Sequence, residues 1–504
     1  MVAQREDRTT PESALRVEQN GINVIAEEER KGRPRGLFWP WCASNISVLS
    51  LSYGSFVLGF GVSFWQATIA GIVGTVVSFL LVGFVSLAGK RGSAPTMVLS
   101  RAAFGVRGNS LPAAVSYLLL VGWETVLVSL STLAVATVFA RLGWAAGTTT
   151  KIVAFLVVAA VIVLSGILGF DAIMRLQKWL TVALAILTVG YIALSAHHVS
   201  WPAVSRLPPA GAGAFIGACI LVATALGIGW VNSGADYSRY LPRKASTGGV
   251  VWWTTFGGSI CPVILIIFGV LLAGSNKNLA NAIGSDPIGA LTNVLPTWYL
   301  VPFVIVAVGG LVAGAALDIY SSGLALLTLG LRVARWKAAA IDGVIMIAGT
   351  IYVVFFAANF IGPFEAFLIT LGVPITAWCG VFLADLMLRR RPYHDAELYD
   401  SRGRYGAASP PALVALIVGS VVGFGLVVST APDNPVFSWQ GFLLGPFGLG
   451  PKMNGPWTYA NLGVVAAFVI GFVVQAVGAA ARVRRQEATS DERRIPTGGP
   501  VRAS

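Results

Sequence analysis

Between Leu37 and Gly89 the chain runs for 53 residues without an Asp, Glu, Lys or Arg. A stretch of that kind has no means of coating a surface that faces water. A helix crossing a hydrocarbon core of about 30 Å needs about 20 apolar residues at 1.5 Å each. This window, interrupted near Gly59-Phe60-Gly61, therefore holds two spans. Further apolar windows are centred in Leu111–Phe139, Ile152–Gly169, Leu176–Ala196, Phe215–Asn232, Val250–Ala273, Trp298–Leu329, Ala338–Ala357, Ala366–Met387, Ala412–Thr430 and Tyr459–Ala481. The sequence predicts an all-α integral membrane protein of about 12 transmembrane helices. Charged residues make up 11% of the chain against about 25% in soluble proteins, which excludes a soluble multidomain protein.

Basic residues test that count, because Lys and Arg are retained on the cytoplasmic side of short loops. With both termini inside, 30 of the 35 Lys and Arg fall in cytoplasmic segments and 5 in external ones. Omitting one span would invert everything downstream and destroy the asymmetry. The net charge of +13 is thus topological and requires no nucleic-acid partner. Residues 1–36 and 482–504 are polar and read as disordered cytoplasmic tails. Between them lie the core of spans 1–10 (37–388), a cytoplasmic loop (389–408) and two accessory spans (409–481). The polar start holds no signal-peptide h-region, and the short loops suit a prokaryotic inner membrane. Cys42, Cys219, Cys261 and Cys379 are far apart in apolar runs, with no metal spacing.

Charge is expensive inside a bilayer, so acids left there mark function or tight pairing. Asp171, Asp236, Asp342, Glu365 and Asp385 fall near predicted span ends, where water or headgroups can solvate them. Glu124 stands alone between Gly108 and Ala140, and Asp318 between Pro287 and Leu331. Each is read either as satisfied by a neighbouring helix or as part of a substrate or ion site. Trp123 and Trp230 sit in mid-span, away from the interfacial place usual for Trp, and either pack in the core or line a cavity. Gly227 and Gly229 beside Trp230 suit a helix break or a close helix crossing. Span 1 carries Asn45, Ser47, Ser50, Ser52 and Ser55, a stripe that serves either interhelical hydrogen bonds or a cavity wall.

Several stretches resemble the nucleobase:cation symporter-1 family, in its purine/cytosine permease branch. They are Met97–Asn109 with its Ser-Arg-x-x-Phe-Gly pattern, Gly122-Trp123, Trp230–Pro242 with Ala-Asp-Tyr-Ser-x-Tyr-Leu-Pro, Ile319-Tyr320-Ser321, and Phe382–Asp385 followed by Arg389–Tyr393. The resemblance implies a leucine-transporter-like core of five spans and five more in inverted topology, plus two C-terminal helices. Spans 1 and 6 would break at mid-membrane, with the site between them and spans 3 and 8. It implies a flat base held between Trp123 and Trp230, with Gly229, Ser50, Ser52, Glu124 and Asp318 as further substrate contacts. Asp318 stands where the family usually has Asn. A carboxylate only accepts hydrogen bonds, so it favours substrate edges rich in N–H. Glu124 and Asp318 are also the expected ion-coupling residues, facing one cavity.

The expected activity is import of cytosine or a purine by symport with a cation, without a cofactor. Sodium-coupled members use span 8 hydroxyls where this chain has Val312 and Ala313, which favours protons over sodium. The alternative is another small heterocycle, such as allantoin, a hydantoin or a vitamin. An enzyme is disfavoured, since His197, His198 and His394 lie in loops and no catalytic constellation is visible. The carrier is expected to act as a monomer.

Overall fold

The computed structural model describes residues 17–492 apart from 358–360, 430–433, 435 and 451–454. Among the described residues every regular element is helical. Nine helices among the described residues are long and apolar enough to cross a bilayer. They are Phe64–Gly92 (span 2), Ser110–Arg141 (span 3), Thr148–Leu168 (span 4), Phe170–Ser195 (span 5), Ala212–Ser238 (span 6), Thr247–Ser275 (span 7), Leu300–Thr328 (span 8), Arg335–Phe355 (span 9) and Ile361–Leu388 (span 10). Span 1 is two short helices, Phe38–Ala43 and Val48–Leu58, while spans 11 and 12 are Pro410–Gly425 and Leu462–Gly478. This order is consistent with twelve passes. Spans 4, 5 and 9 turn large apolar side chains outward, including Leu156, Val157, Ile186, Val189 and Val344, whereas span 8 is buried throughout from Gly310 to Ala325.

In hydrocarbon a freed backbone group must find a partner within the protein. Span 1 breaks over Ser44–Ser47, and its own side chains supply those partners. Ser44 Oγ donates to Pro40 O at 2.9 Å, Asn45 Nδ2 to Trp41 O at 2.8 Å and Ser50 Oγ to Asn45 O at 2.9 Å. Ser47 Oγ accepts from Leu49 N at 3.2 Å and caps the second half. The break lies against Gly310 of span 8, where an added Cβ would stand 2.0 Å from Ile46 O. Span 6 departs from α-helix more gently. A wide π turn over Thr224–Ile228 is followed by a tight 3-10 turn over Val231–Ser233 before Gly234–Ser238 resumes.

Packing sorts the spans into three groups. Span 2, span 6, span 7 and the second half of span 1 pack chiefly on one another, with Gly54 and Gly269 allowing backbone contact where spans 1 and 7 cross. Spans 3, 4, 5, 8 and 9 form a second body, and span 10 runs along span 12 with span 11 beside it.

The expected N-terminal tail is corrected from residue 17 onward. Ile25 is fully buried, Ile25 N donates to Ser93 O at 2.8 Å, Lys31 N donates to Tyr240 O at 2.7 Å, and Glu18 pairs with Arg239. The segment is polar because it binds the basic loops at the helix ends, not because it is unstructured. Residues 480–492, also partly assigned to a tail, continue as helix. Residues 1–16 and 493–504 of the expected tails lie outside the described residues.

Gly310→Ala should destabilise the fold by about 1–3 kcal/mol, the usual cost of forcing atoms into a packed interior. A lowered melting temperature of the purified protein in detergent is the expected readout, and an unchanged one would mean that the span 1 break yields freely.

Candidate functional site

At the level of the two breaks, the seam between the first and second bodies holds a cavity of about 40 Å³. Its walls are Ser44, Asn45, Ser47, Ser50 and Tyr53 from span 1, Ala225, Leu226 and Trp230 from span 6, Trp123 and Leu127 from span 3, and Gly310 and Gly314 from span 8. The structure thus brings together Trp123, Trp230 and Ser50. Gly229 packs beneath the Trp123 indole, where an added Cβ would lie 3.2 Å from Nε1. Ser52 is buried and donates to Val48 O at 2.9 Å, away from the cavity wall. The span 1 stripe therefore serves mainly its own backbone and the cavity, while Ser55 Oγ donates across to Ala280 O of the helix Lys277–Ser285 at 3.1 Å. The space admits roughly three waters and is well below the roughly 300–1,000 Å³ of drug-sized ligand pockets. The two bodies are closed on it in this conformation.

Ring packing seals the cavity on both sides. Phe364 of span 10 meets Trp123 edge to face at 5.2 Å, and Trp41 meets Trp230 at 5.6 Å. A larger cleft of about 350 Å³, between Gly59–Phe60, Gly213–Ala214 and Gly455–Ala460, lies at the opposite end from the basic loops. Among the described residues its lining carries no charged side chain.

Glu124 and Asp318 do not line the cavity; they stand behind it, in the second body. Glu124 is fully buried and both its oxygens lack a hydrogen bond of good geometry. It lies against Ser322 and Asp342, and close enough to Asp318 for direct electrostatic interaction. Ser322 Oγ donates to Asp342 Oδ2 in a short contact. Asp318 is 1% exposed, with Oδ2 unpartnered. Three acids from spans 3, 8 and 9 thus share one buried region. The groups acting most strongly on Glu124 and Asp342 include no cation.

Asp342 differs most consequentially from the solvated placement expected of the span-end acids. Seven positions into span 9 from Arg335, it reads as solvated by the interface, yet it is 0% exposed because span 9 packs against spans 3 and 8 there. Asp236 and Asp385 are buried too. Asp236 accepts from Thr96 N at 2.7 Å and Thr96 Oγ1 at 2.9 Å, and Asp385 accepts from Arg389 Nε at 2.6 Å. Of the four whose side chains are described, Asp171 alone is solvated as expected, half exposed beside Lys31 at 2.8 Å. The side chain of Glu365 lies outside the described residues.

The motifs that looked most diagnostic prove to be joints of the frame. Ser100 Oγ accepts from Trp378 Nε1 at 2.9 Å, and Arg101 donates to Thr328 O at 3.1 Å and Leu398 O at 3.2 Å. In the Ala-Asp-Tyr-Ser run, Tyr237 OH donates to Leu317 O at 2.6 Å, linking span 6 to span 8, and Ser238 Oγ donates to Ser86 O at 2.7 Å.

The family model for permeases for cytosine/purines, uracil, thiamine and allantoin matches residues 24–443. The chain belongs to that family. Among curated proteins it is 26% identical over 422 residues to YxlA of Bacillus subtilis (strain 168), a protein assigned by name to the purine-cytosine permeases, with 80% of this chain and 87% of that one covered. Its fold matches that of Mhp1, a nucleobase-cation-symport-1 family transporter solved in a closed conformation with bromovinylhydantoin bound. The TM-score is 0.67 at 19% identity, over 93% of this chain and 98% of that one. The inward-facing conformation of Mhp1 matches at 0.63 and 18% identity, over 94% and 96%. A sodium-coupled sialic acid symporter matches at 0.58 and 13% identity, over 90% and 91%. The permease is therefore a multi-pass membrane transporter and not an enzyme. It has the expected inverted-repeat core of two five-span halves.

Ser322→Ala would strip the buried Asp342 of a hydroxyl donor. The permease should lose about 1–3 kcal/mol of stability, the cost of an unsatisfied buried acceptor, read as a fall in melting temperature that Ser322→Thr restores.

Proposed function

We propose that this permease imports a nucleobase, cytosine or a purine, by symport with a proton. The observation that carries the reading is the cavity at the seam of the two bodies, with both the Trp123 and Trp230 indoles in its lining. Stacking on ring faces suits a planar heteroaromatic base, while Ser44, Asn45, Ser47 and Ser50 offer hydrogen-bonding groups to its edge. A cavity shared by two bodies is also what alternating access requires, since rocking one body on the other exposes the same site first to one face and then to the other.

Protons are favoured over sodium on two grounds. From Val306 to Leu317, the part of span 8 facing the span 1 break, there is no hydroxyl to complete a sodium shell. Behind the cavity, Glu124, Asp318 and Asp342 cluster with no cation among the described groups that act most strongly on them. Ionising all three would leave like charges unshielded in low dielectric. In this reading Asp318 and Glu124 couple the ion with Asp342 beside them, and Asp318 reaches the substrate edge only when the bodies part. The thirty basic residues on one side support cytoplasmic termini, in a carrier of the plasma or inner membrane on this reading. The cavity is complete within one chain, which supports function as a monomer.

A second reading keeps the fold and changes the base. Asp318 in place of the usual Asn removes a donor, and the family description includes allantoin and thiamine beside the nucleobases. A panel of nucleobases and related heterocycles competing against labelled cytosine in proteoliposomes, with and without sodium, separates the two. Competition by cytosine or purines, driven by a pH gradient and indifferent to sodium, is the expected result; competition by a hydantoin or allantoin alone would replace the substrate.

Trp230→Ala should weaken base binding about tenfold through loss of one stacking face, measured by equilibrium binding to the purified carrier. Unaltered affinity would make Trp230 a packing residue. Glu124→Gln should abolish stimulation by a pH gradient while base exchange at equilibrium persists, and retained stimulation would remove Glu124 from coupling.

A further inference from the structure

The closed path from the cavity to the basic end is a column of rings. Trp230 meets Trp41 at 5.6 Å, Trp41 meets Tyr237 at 5.4 Å, and Tyr237 meets Tyr320 at 5.8 Å. At the foot of that column lies the side chain of Glu18, 9% exposed, from the segment expected to be a free tail. Its Oε1 accepts from Arg239 Nη2 at 2.9 Å, Tyr240 OH at 2.5 Å and Tyr320 OH at 3.1 Å. Its Oε2 accepts from Phe170 N at 2.8 Å and faces Arg335 Nε at 3.5 Å.

These partners do not belong to one body. Arg239 and Tyr240 end span 6, in the first body; Phe170, Tyr320 and Arg335 open span 5, sit in span 8 and open span 9, in the second. One carboxylate therefore ties the two bodies together across the seam, at the end where the ring column would have to part. Arg239 also donates to Tyr320 OH at 2.8 Å and to Gly21 O at 2.7 Å, so the same guanidinium is shared by span 8 and the N-terminal segment. Separation would leave Arg239 and Arg335, both nearly unexposed, without their counter-charge, and a buried charge stripped of its partner is strongly unfavourable.

We propose that Glu18 is the gate residue of the basic end: its carboxylate holds span 6 against spans 8 and 9, and the path from the cavity to that face opens when Arg239 leaves it. The inference rests on the transport reading for its meaning, but its test needs no substrate. An N-terminal segment that merely anchors the fold would loosen the protein generally when cut free; a gate opens one path.

The test uses full-length carrier in detergent with the four native cysteines replaced by alanine. Single cysteines are placed by Ser321→Cys, beside Tyr237 in the column, by Ser131→Cys, beyond the cavity on the other side, and by Ser420→Cys, buried in span 11. Labelling by a hydrophilic thiol reagent is compared with and without Glu18→Gln. The expected result is labelling at position 321 about tenfold faster, a shift of about 1.4 kcal/mol in the gate equilibrium, with positions 131 and 420 unchanged. Unchanged labelling at 321 overturns the proposal, and so does an equal rise at all three positions. If Glu18→Gln does not fold, Glu18→Asp is run in its place; its shorter side chain cannot reach every partner, and absence of any rise at 321 again overturns the proposal. Failure of the carrier to move any nucleobase would defeat the transport reading without altering these rates.

Discussion

Everything in this molecule depends on how broken helices are tolerated where no water can repair them. Span 1 gives up its helix for four residues in mid-membrane, and the polar groups set free there are met by Ser44, Asn45, Ser47 and Ser50 of the same chain. Those side chains cannot be moved to a neighbouring helix without stranding carbonyls, so the break is self-contained. It can then be pressed against the bare backbone of Gly310, and the cavity forms in the gap that the missing turn leaves. Span 6 solves the same problem by widening one turn and tightening the next.

The grouping of spans follows from which helices come close enough to exclude side chains. Gly54 and Gly269 let spans 1 and 7 meet backbone to backbone, which joins the first body firmly. Across the seam the contacts are of another kind: rings, a few polar bridges such as Asn232 Nδ2 to Ser116 Oγ at 2.8 Å, and the tyrosine of span 6 on a span 8 carbonyl. Interfaces of directional bonds can be exchanged for others; interlocked backbones cannot. The boundary at which the molecule can move is therefore the one along which the cavity and the acid cluster lie.

Much of this was legible from residue order. Charge-free windows located the spans, the basic residues set a common face for their loops, and Trp123 and Trp230 were singled out for being tryptophans away from an interface. Asp342 was not legible, because its distance along span 9 suggests solvent and only packing against spans 3 and 8 removes it. Glu18 was hidden for the opposite reason. A polar segment with seven acids and seven bases has the composition of a disordered tail, and nothing local reveals that one of its acids matches a pocket of arginines and tyrosines far along the chain. The Ser-Arg-x-x-Phe-Gly loop marked the family while saying little about substrate, since its side chains hold the frame. The span 1 stripe was visible as a pattern, but its division among its own backbone, the cavity and the Lys277–Ser285 helix required the position of the break.

The placement of Glu124, Asp318 and Asp342 in one body has an electrical consequence. Helices that carry acids through the membrane field would make the moving charge depend on how far those helices travel. Here the three acids sit together on spans 3, 8 and 9, fixed relative to one another. Under the proton reading, charge crosses the field by a change in which aqueous side reaches them. The voltage sensitivity of such a carrier belongs to the depth of each water path, so that reshaping a loop far from any acid would retune it.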